Sequence, residues 1–153
     1  MVYLITLTLH SWLRWLVLLM GLMAVARAIS GTTSRRPWTP IDDRAGFLFT
    51  MLLDLQVLVG LILYVWLSPI THEAFRDFGG AMKSIGLRFW AVEHVFGMIV
   101  ALALAHIGRV RIRRADASRR PRLTLIFFGL ALVAILASIP WPATPYGRPL
   151  LRW

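Results

Sequence analysis

Residues 87–108 read LRFWAVEHVFGMIVALALAHIG and run straight into RVRIRRADASRRPR over 109–122. That junction decides the fold. A run of roughly 20 mostly apolar residues is the length of helix that crosses a bilayer core of about 30 Å, and a dense Arg cluster at its end is the flank that holds a loop on the cytoplasmic side. Three more stretches, 3–27, 46–67 and 123–140, have the same length and character. The first lacks a basic leader and a clear cleavage site, so it reads as a retained helix rather than a signal peptide.

Composition agrees. The 153 residues are 58% hydrophobic and 16% charged, with a mean hydropathy of +0.69, whereas soluble domains average about 45–50% apolar and about 25% charged. The expectation is an all-α integral membrane four-helix bundle forming one domain over 1–153. The formal charge of +10 would point to nucleic acid in a soluble protein. Here the basic residues lie between the apolar runs, as orientation signals and lipid contacts do, so no nucleic-acid partner is expected. The first and third connections carry Arg27, Arg35, Arg36 and Arg44, and Arg109, Arg111, Arg113, Arg114, Arg119, Arg120 and Arg122. The other side has only Arg76, Lys83, Arg88, Arg148 and Arg152. This bias puts both termini on the outer, periplasmic side. Absence of cysteine excludes a disulfide framework, a thiolate nucleophile and a Cys-held metal.

The connections differ. Residues 30–41, with Gly31, Pro37 and Pro40, read as a turn with little structure. Residues 70–83 place Phe75, Phe78 and Met82 on one helical stripe, broken by Gly79-Gly80, and are expected to lie as a short amphipathic segment in the interface. His72-Glu73 there reads as an exposed loop feature. The tail holds Pro140, Pro142, Pro145 and Pro149, which forbid a regular helix, and Trp141, Tyr146 and Trp153 suit an interfacial anchor.

Ionisable and amide groups inside the spans are costly and are kept when paired or functional. They are His10 and Arg14 in the first span, Asp54 and Gln56 in the second, and Glu93, His94 and His106 in the third. The fourth has none and is expected to pack as a structural span through Gly129, Ala131, Ala134 and Ala137. His10 and His94 each lie about seven residues below the outer end of their helix, roughly 10 Å deep at 1.5 Å per residue. Two imidazoles facing each other at one depth in a bundle core can hold a haem iron from both sides. Gly97 and Gly21 would then make room for the macrocycle, with propionates turned toward Arg88, Lys83 or Arg76. Trp12, Trp15, Phe89, Trp90 and Phe96 flank the level of the two histidines.

Arg14 is expected to pair with Asp54 or, alternatively, with Glu93. Either carboxylate, if burial raised its pKa, would be a candidate to accept a proton from a quinol. His106, about 18 Å along the helix from His94, reads as an interfacial polar residue, with Met20 or Met23 as a remote axial partner. Direct metal binding by His10, Glu93 and His94 is disfavoured because adjacent helical residues point about 100° apart.

The segments Leu9-His10-Ser11-Trp12-Leu13-Arg14-Trp15, Arg88-Phe89-Trp90-Ala91-Val92-Glu93-His94 and Ala105-His106-Ile107-Gly108-Arg109 resemble small four-helix bacterial membrane proteins of the b-type cytochrome-like kind. The resemblance implies one haem b, ligated by His10 and His94, in an electron carrier of the bacterial inner membrane. Its partners would be quinone, a respiratory complex or further copies of the chain. The chain departs from dihaem cytochromes b, which pair histidines on each of two helices, so a second haem is not expected. The competing expectation is a cofactor-free accessory or assembly subunit of a membrane complex. A small transporter or metal-handling protein is a third. No constellation for hydrolysis or group transfer is present.

Overall fold

The computed structural model describes residues 1–151. Arg152 and Trp153, counted above in the tail's charge and aromatic anchor, lie outside the described residues. The described chain is helical, with no strand among them: α1 (Val2–Thr33), α2 (Pro40–Ile62) continued by a π-helical turn (Leu63–Leu67), α3 (Pro69–Arg76), α4 (Phe78–Lys83), α5 (Ile85–Arg88), a second π-helical turn (Phe89–Glu93), α6 (His94–Arg114) and α7 (Arg120–Ser138). Four of the resulting rods, Val2–Thr33, Pro40–Leu67, Ile85–Arg114 and Arg120–Ser138, are long and apolar enough to cross a membrane.

The first three rods extend beyond their apolar runs, whereas the fourth ends at Ser138 rather than at residue 140. The second rod begins at Pro40 rather than residue 46. Thr39 caps it in a reciprocal box with Asp42, and the proline at the helix start needs no N–H partner. The first connection shrinks to 34–39 and is well tied, correcting the loosely structured turn expected there. The buried Asp42 carboxylate accepts from Arg27 at 2.8 Å and Arg36 at 2.6 Å, and also from the Thr39 backbone and hydroxyl. The hydrogen bond to Asp42 holds Arg36, outside the apolar rods, above the ordinary arginine pKa.

The rods alternate in direction. α1 packs on α2 and α7, and α6 on α7, while α2 and α6 meet along a thinner seam. The core is filled by Val17, Phe49, Leu53, Phe128, Leu132 and Ile135, with the Phe49 and Phe128 rings edge to face at 5.1 Å. Gly21 belongs to this packing. A Cβ there would stand 2.7 Å from Leu132 and 2.8 Å from Phe49, so the space it leaves is filled by side chains and offers none to a macrocycle. Ala131 is fully buried, whereas Gly129, expected to permit close approach, faces nothing within 4 Å.

Residues 69–83 do form short helices, but the break falls at Asp77, not at Gly79-Gly80. Asp77 leaves helical geometry and its carboxylate caps the Gly80 N–H at 2.9 Å, which keeps both glycines inside α4. Beyond α7 the proline-rich tail is non-helical through Leu151. It folds back over the bundle end that also carries the start of α1.

Candidate functional site

The ends of all four rods and the tail converge on a cavity of about 130 Å³. His10 from α1 and His94 from α6 face each other there, ring centres 6.4 Å apart and planes at 74°. Gln56 and Gly60 of α2 and Ser138, the last residue of α7, complete the level.

Each imidazole is oriented by a neighbour. His94 Nδ1 lies 2.7 Å from the Ser138 carbonyl, which can only accept, so Nδ1 carries the proton and Nε2 keeps its lone pair. His10 Nε2 lies 3.3 Å from the Gln56 side-chain nitrogen. The remaining polar atoms of that pair, His10 Nδ1 and Gln56 Oε1, are buried without a hydrogen-bond partner. Buried polar atoms are ordinarily satisfied, so this half of the site has unused bonding capacity. Gly60 lets the ring sit close to α2: a Cβ there would stand 3.0 Å from His10 Cε1.

Gly97 does not open a slot beside His94 as expected. Its missing side chain is replaced by Ser138, whose hydroxyl a Cβ would collide with. The Ser138 hydroxyl itself bonds back to Ala134 O at 2.8 Å.

The ion pairs differ from those expected. Asp54 is joined to His106 at 2.6 Å and Glu93 to Arg88 at 2.7 Å, so neither carboxylate pairs with Arg14. Arg14 instead donates to the Leu150 carbonyl and, at 3.4 Å, to Ser11 Oγ. It lines the cavity, as does Arg148, while Arg88 is drawn away by Glu93. His106 is not an isolated interfacial residue. It bridges α6 to the middle of α2.

The tail forms the cavity's cap. Tyr146 stacks on Phe89 at 3.6 Å, Arg148 lies over the Trp90 ring at 5.5 Å, and the Leu150 carbonyl accepts from Trp15 Nε1 at 3.1 Å. Trp90 and Phe89 also approach His94, at 5.6 and 5.8 Å between ring centres. Phe96 and Trp12, in contrast, are exposed on the outside of the bundle. Sequence reasoning missed Ser138, Arg148 and the Leu150 carbonyl. A serine two residues before a proline, and a tail arginine among prolines, carry no periodic signal that would mark them.

No family model matches the chain, and no curated protein and no solved structure matches it either. Among the described residues there is no cluster of three or more His, Cys, Asp or Glu side chains able to hold a metal ion.

Proposed function

We propose that this is a multi-pass membrane protein binding one haem b through His10 and His94, and that it carries single electrons. The observation that carries the reading is the facing pair of imidazoles. Metal–imidazole bonds run at about 2 Å, and a ring centre lies roughly 1 Å behind its nitrogen. Two imidazoles on opposite sides of one iron therefore have centres about 6 Å apart, against 6.4 Å here.

The donor chemistry also fits. An Nδ1–H held by a backbone carbonyl is the outer partner that metal-ligating histidines use, and it leaves the Nε2 of His94 available. Unused capacity at His10 and Gln56 is consistent with a group that enters between α2 and α6, where the cavity is lined by Val57, Leu61, Val95 and Ile99. The cavity, about 130 Å³, is narrower than a porphyrin requires, so loading would need the helices around it to part.

When bound, haem supplies one-electron redox chemistry. The chain's own residues supply the rest. His10 and His94 would hold the iron, and the Ser138 carbonyl fixes one ring's orientation. Arg14 and Arg148 offer positive charge to propionates, in place of the Arg88, Lys83 and Arg76 expected from sequence. The tail and the Val17 and Ile135 side chains, which line the cavity, keep water out. Charge bias in the connections supports an arrangement with both termini outside, which places the site near the periplasmic face of a bacterial inner membrane. Exchange with quinone or a respiratory complex follows from that position.

The experiment is an absorption spectrum of the protein purified from haem-replete cells, oxidised and dithionite-reduced, with a pyridine haemochrome assay. The expected result is a low-spin b-type spectrum at one haem per chain. A preparation without a Soret band overturns the reading in favour of a cofactor-free accessory subunit. One observation favours that second reading: His94–Ser138, His10–Gln56 and Asp54–His106 all join different helices, as structural polar contacts in membrane bundles do.

A further inference from the structure

The α2–α6 seam carries a second polar pair, on the outside of the seam and not among the residues that line the cavity. Asp54 stands midway along the Pro40–Leu67 rod, about 21 Å from its start, and His106 meets it from α6 at 2.6 Å. Half of each side chain is exposed, 50% for Asp54 and 51% for His106. In a membrane-spanning bundle, ionisable side chains almost always face the interior or a water-filled cavity. This pair faces outward in the middle of a span.

Its neighbours on the outside are apolar. Along α2 the exposed residues Phe47, Met51, Leu58 and Leu61 share a stripe with Asp54. Their alternating spacing of four and three places them on one face of the helix. Along α6, Phe96, Ile99 and Val110 share a stripe with His106 in the same way, and Ala103 lies exposed between them. A small residue at such a point allows close helix approach.

The pair also has bonding capacity to spare. Its internal hydrogen bond uses His106 Nε2 and Asp54 Oδ1, and neither His106 Nδ1 nor Asp54 Oδ2 has a partner among the described residues. A net-neutral pair is the form that hydrocarbon tolerates best. In either arrangement of its protons, such a pair is left with one free donor and one free acceptor. That is a self-complementary set, and a two-fold axis matches donor to acceptor and acceptor to donor. Depth selects the same partner. A second copy inserts with the same topology and therefore presents its own pair at the same level.

We propose that two copies of this chain dimerise in the membrane through the outer face of α2 and α6, with the Asp54–His106 pairs hydrogen-bonded to each other across the two-fold axis. The inference rests on the membrane reading and needs no haem, although its face shares Leu61 and Ile99 with the mouth of the cavity.

The chain has no cysteine, which makes the test direct. Leu58→Cys and Ala103→Cys are introduced singly into the full-length protein, with Val133→Cys on the exposed face of α7 as control, and membranes are oxidised before solubilisation. Disulfide-linked dimers are expected at 58 and 103 and not at 133. The wild-type protein in lipid nanodiscs is expected to have the mass of two chains. Adding Asp54→Leu together with His106→Leu, which removes both hydrogen-bonding side chains, should weaken dimerisation roughly tenfold, as the loss of two intramembrane hydrogen bonds implies. Cross-linking at 58 and 103 no greater than at 133, a one-chain mass for the wild type, or a different polypeptide or lipid-soluble quinol found on the seam would each overturn the proposal.

Discussion

The Nδ1–H of His94 donates to the backbone carbonyl of Ser138 at 2.7 Å, so the last residue of α7 fixes the ring plane of an imidazole at the start of α6. That carbonyl belongs to the terminal turn, where no intrahelical N–H remains to claim it. The orientation of His94 is therefore set by the backbone and is insensitive to the side chain at 138.

The first prediction concerns ligation. His10→Ala and His94→Ala should each abolish the low-spin spectrum or convert it to high-spin, and His106→Ala should leave it intact. Ser138→Ala should also leave it intact, because the acceptor is main chain. A His10→Ala protein that kept a bis-His spectrum would show that another residue occupies that position.

Packing around Gly97 gives a stability prediction. A methyl group there meets the Ser138 hydroxyl, so Gly97→Ala should cost about 1–3 kcal/mol, the usual range for overpacking. Combining it with Ser138→Ala should recover most of that loss, since the remaining Cβ lies 3.2 Å away. Gly129→Ala meets nothing and should be neutral or stabilising by about 0.5–1 kcal/mol through helix propensity. Thermal unfolding in a mild detergent ranks the four proteins.

The carboxylates that begin α2 should behave unequally. Asp42 is buried and answers two guanidiniums and the helix cap, so Asp42→Ala should cost about 3 kcal/mol, as removal of one partner from a buried pair does. Asp43 is 46% exposed in its pair with Arg109, and Asp43→Ala should cost about 1 kcal/mol or less. Equal losses in chemical unfolding would mean that Asp42 is not the organising group.

Tyr146 anchors the cap over the cavity. Removing its ring in Tyr146→Ala should forfeit the stack on Phe89, about 0.5–1.5 kcal/mol beyond burial, and release the tail locally while the bundle stays folded. Limited proteolysis should then cut within 140–151 several-fold faster than in the wild type, with an unchanged melting temperature for the helices.

Hydropathy made the four rods legible because a bilayer-length apolar run has few other uses. Depth arithmetic brought His10 and His94 to one level, because the rise per residue is constant along regular helix. Pair identity was harder to read. Arg14 and Asp54 looked like natural partners by depth, yet depth ignores rotation about the helix axis. The rods turn Asp54 toward α6, where His106 meets it. The π-helical turn at Phe89–Glu93 adds to the difficulty, since the extra residue breaks the 3.6-residue register just before His94. The tail's role was invisible for another reason: its contacts are made by a backbone carbonyl and single aromatic faces, and neither repeats with a period.

The bond from Arg14 to the Leu150 carbonyl joins positions 136 residues apart, and it bears on biogenesis. Chains emerge from the ribosome N-terminus first, so the cap cannot close until Leu150 has been made. Throughout synthesis the first histidine waits beside an open doorway. Anything destined for the chamber has until Leu150 is in place to enter without displacing the strap.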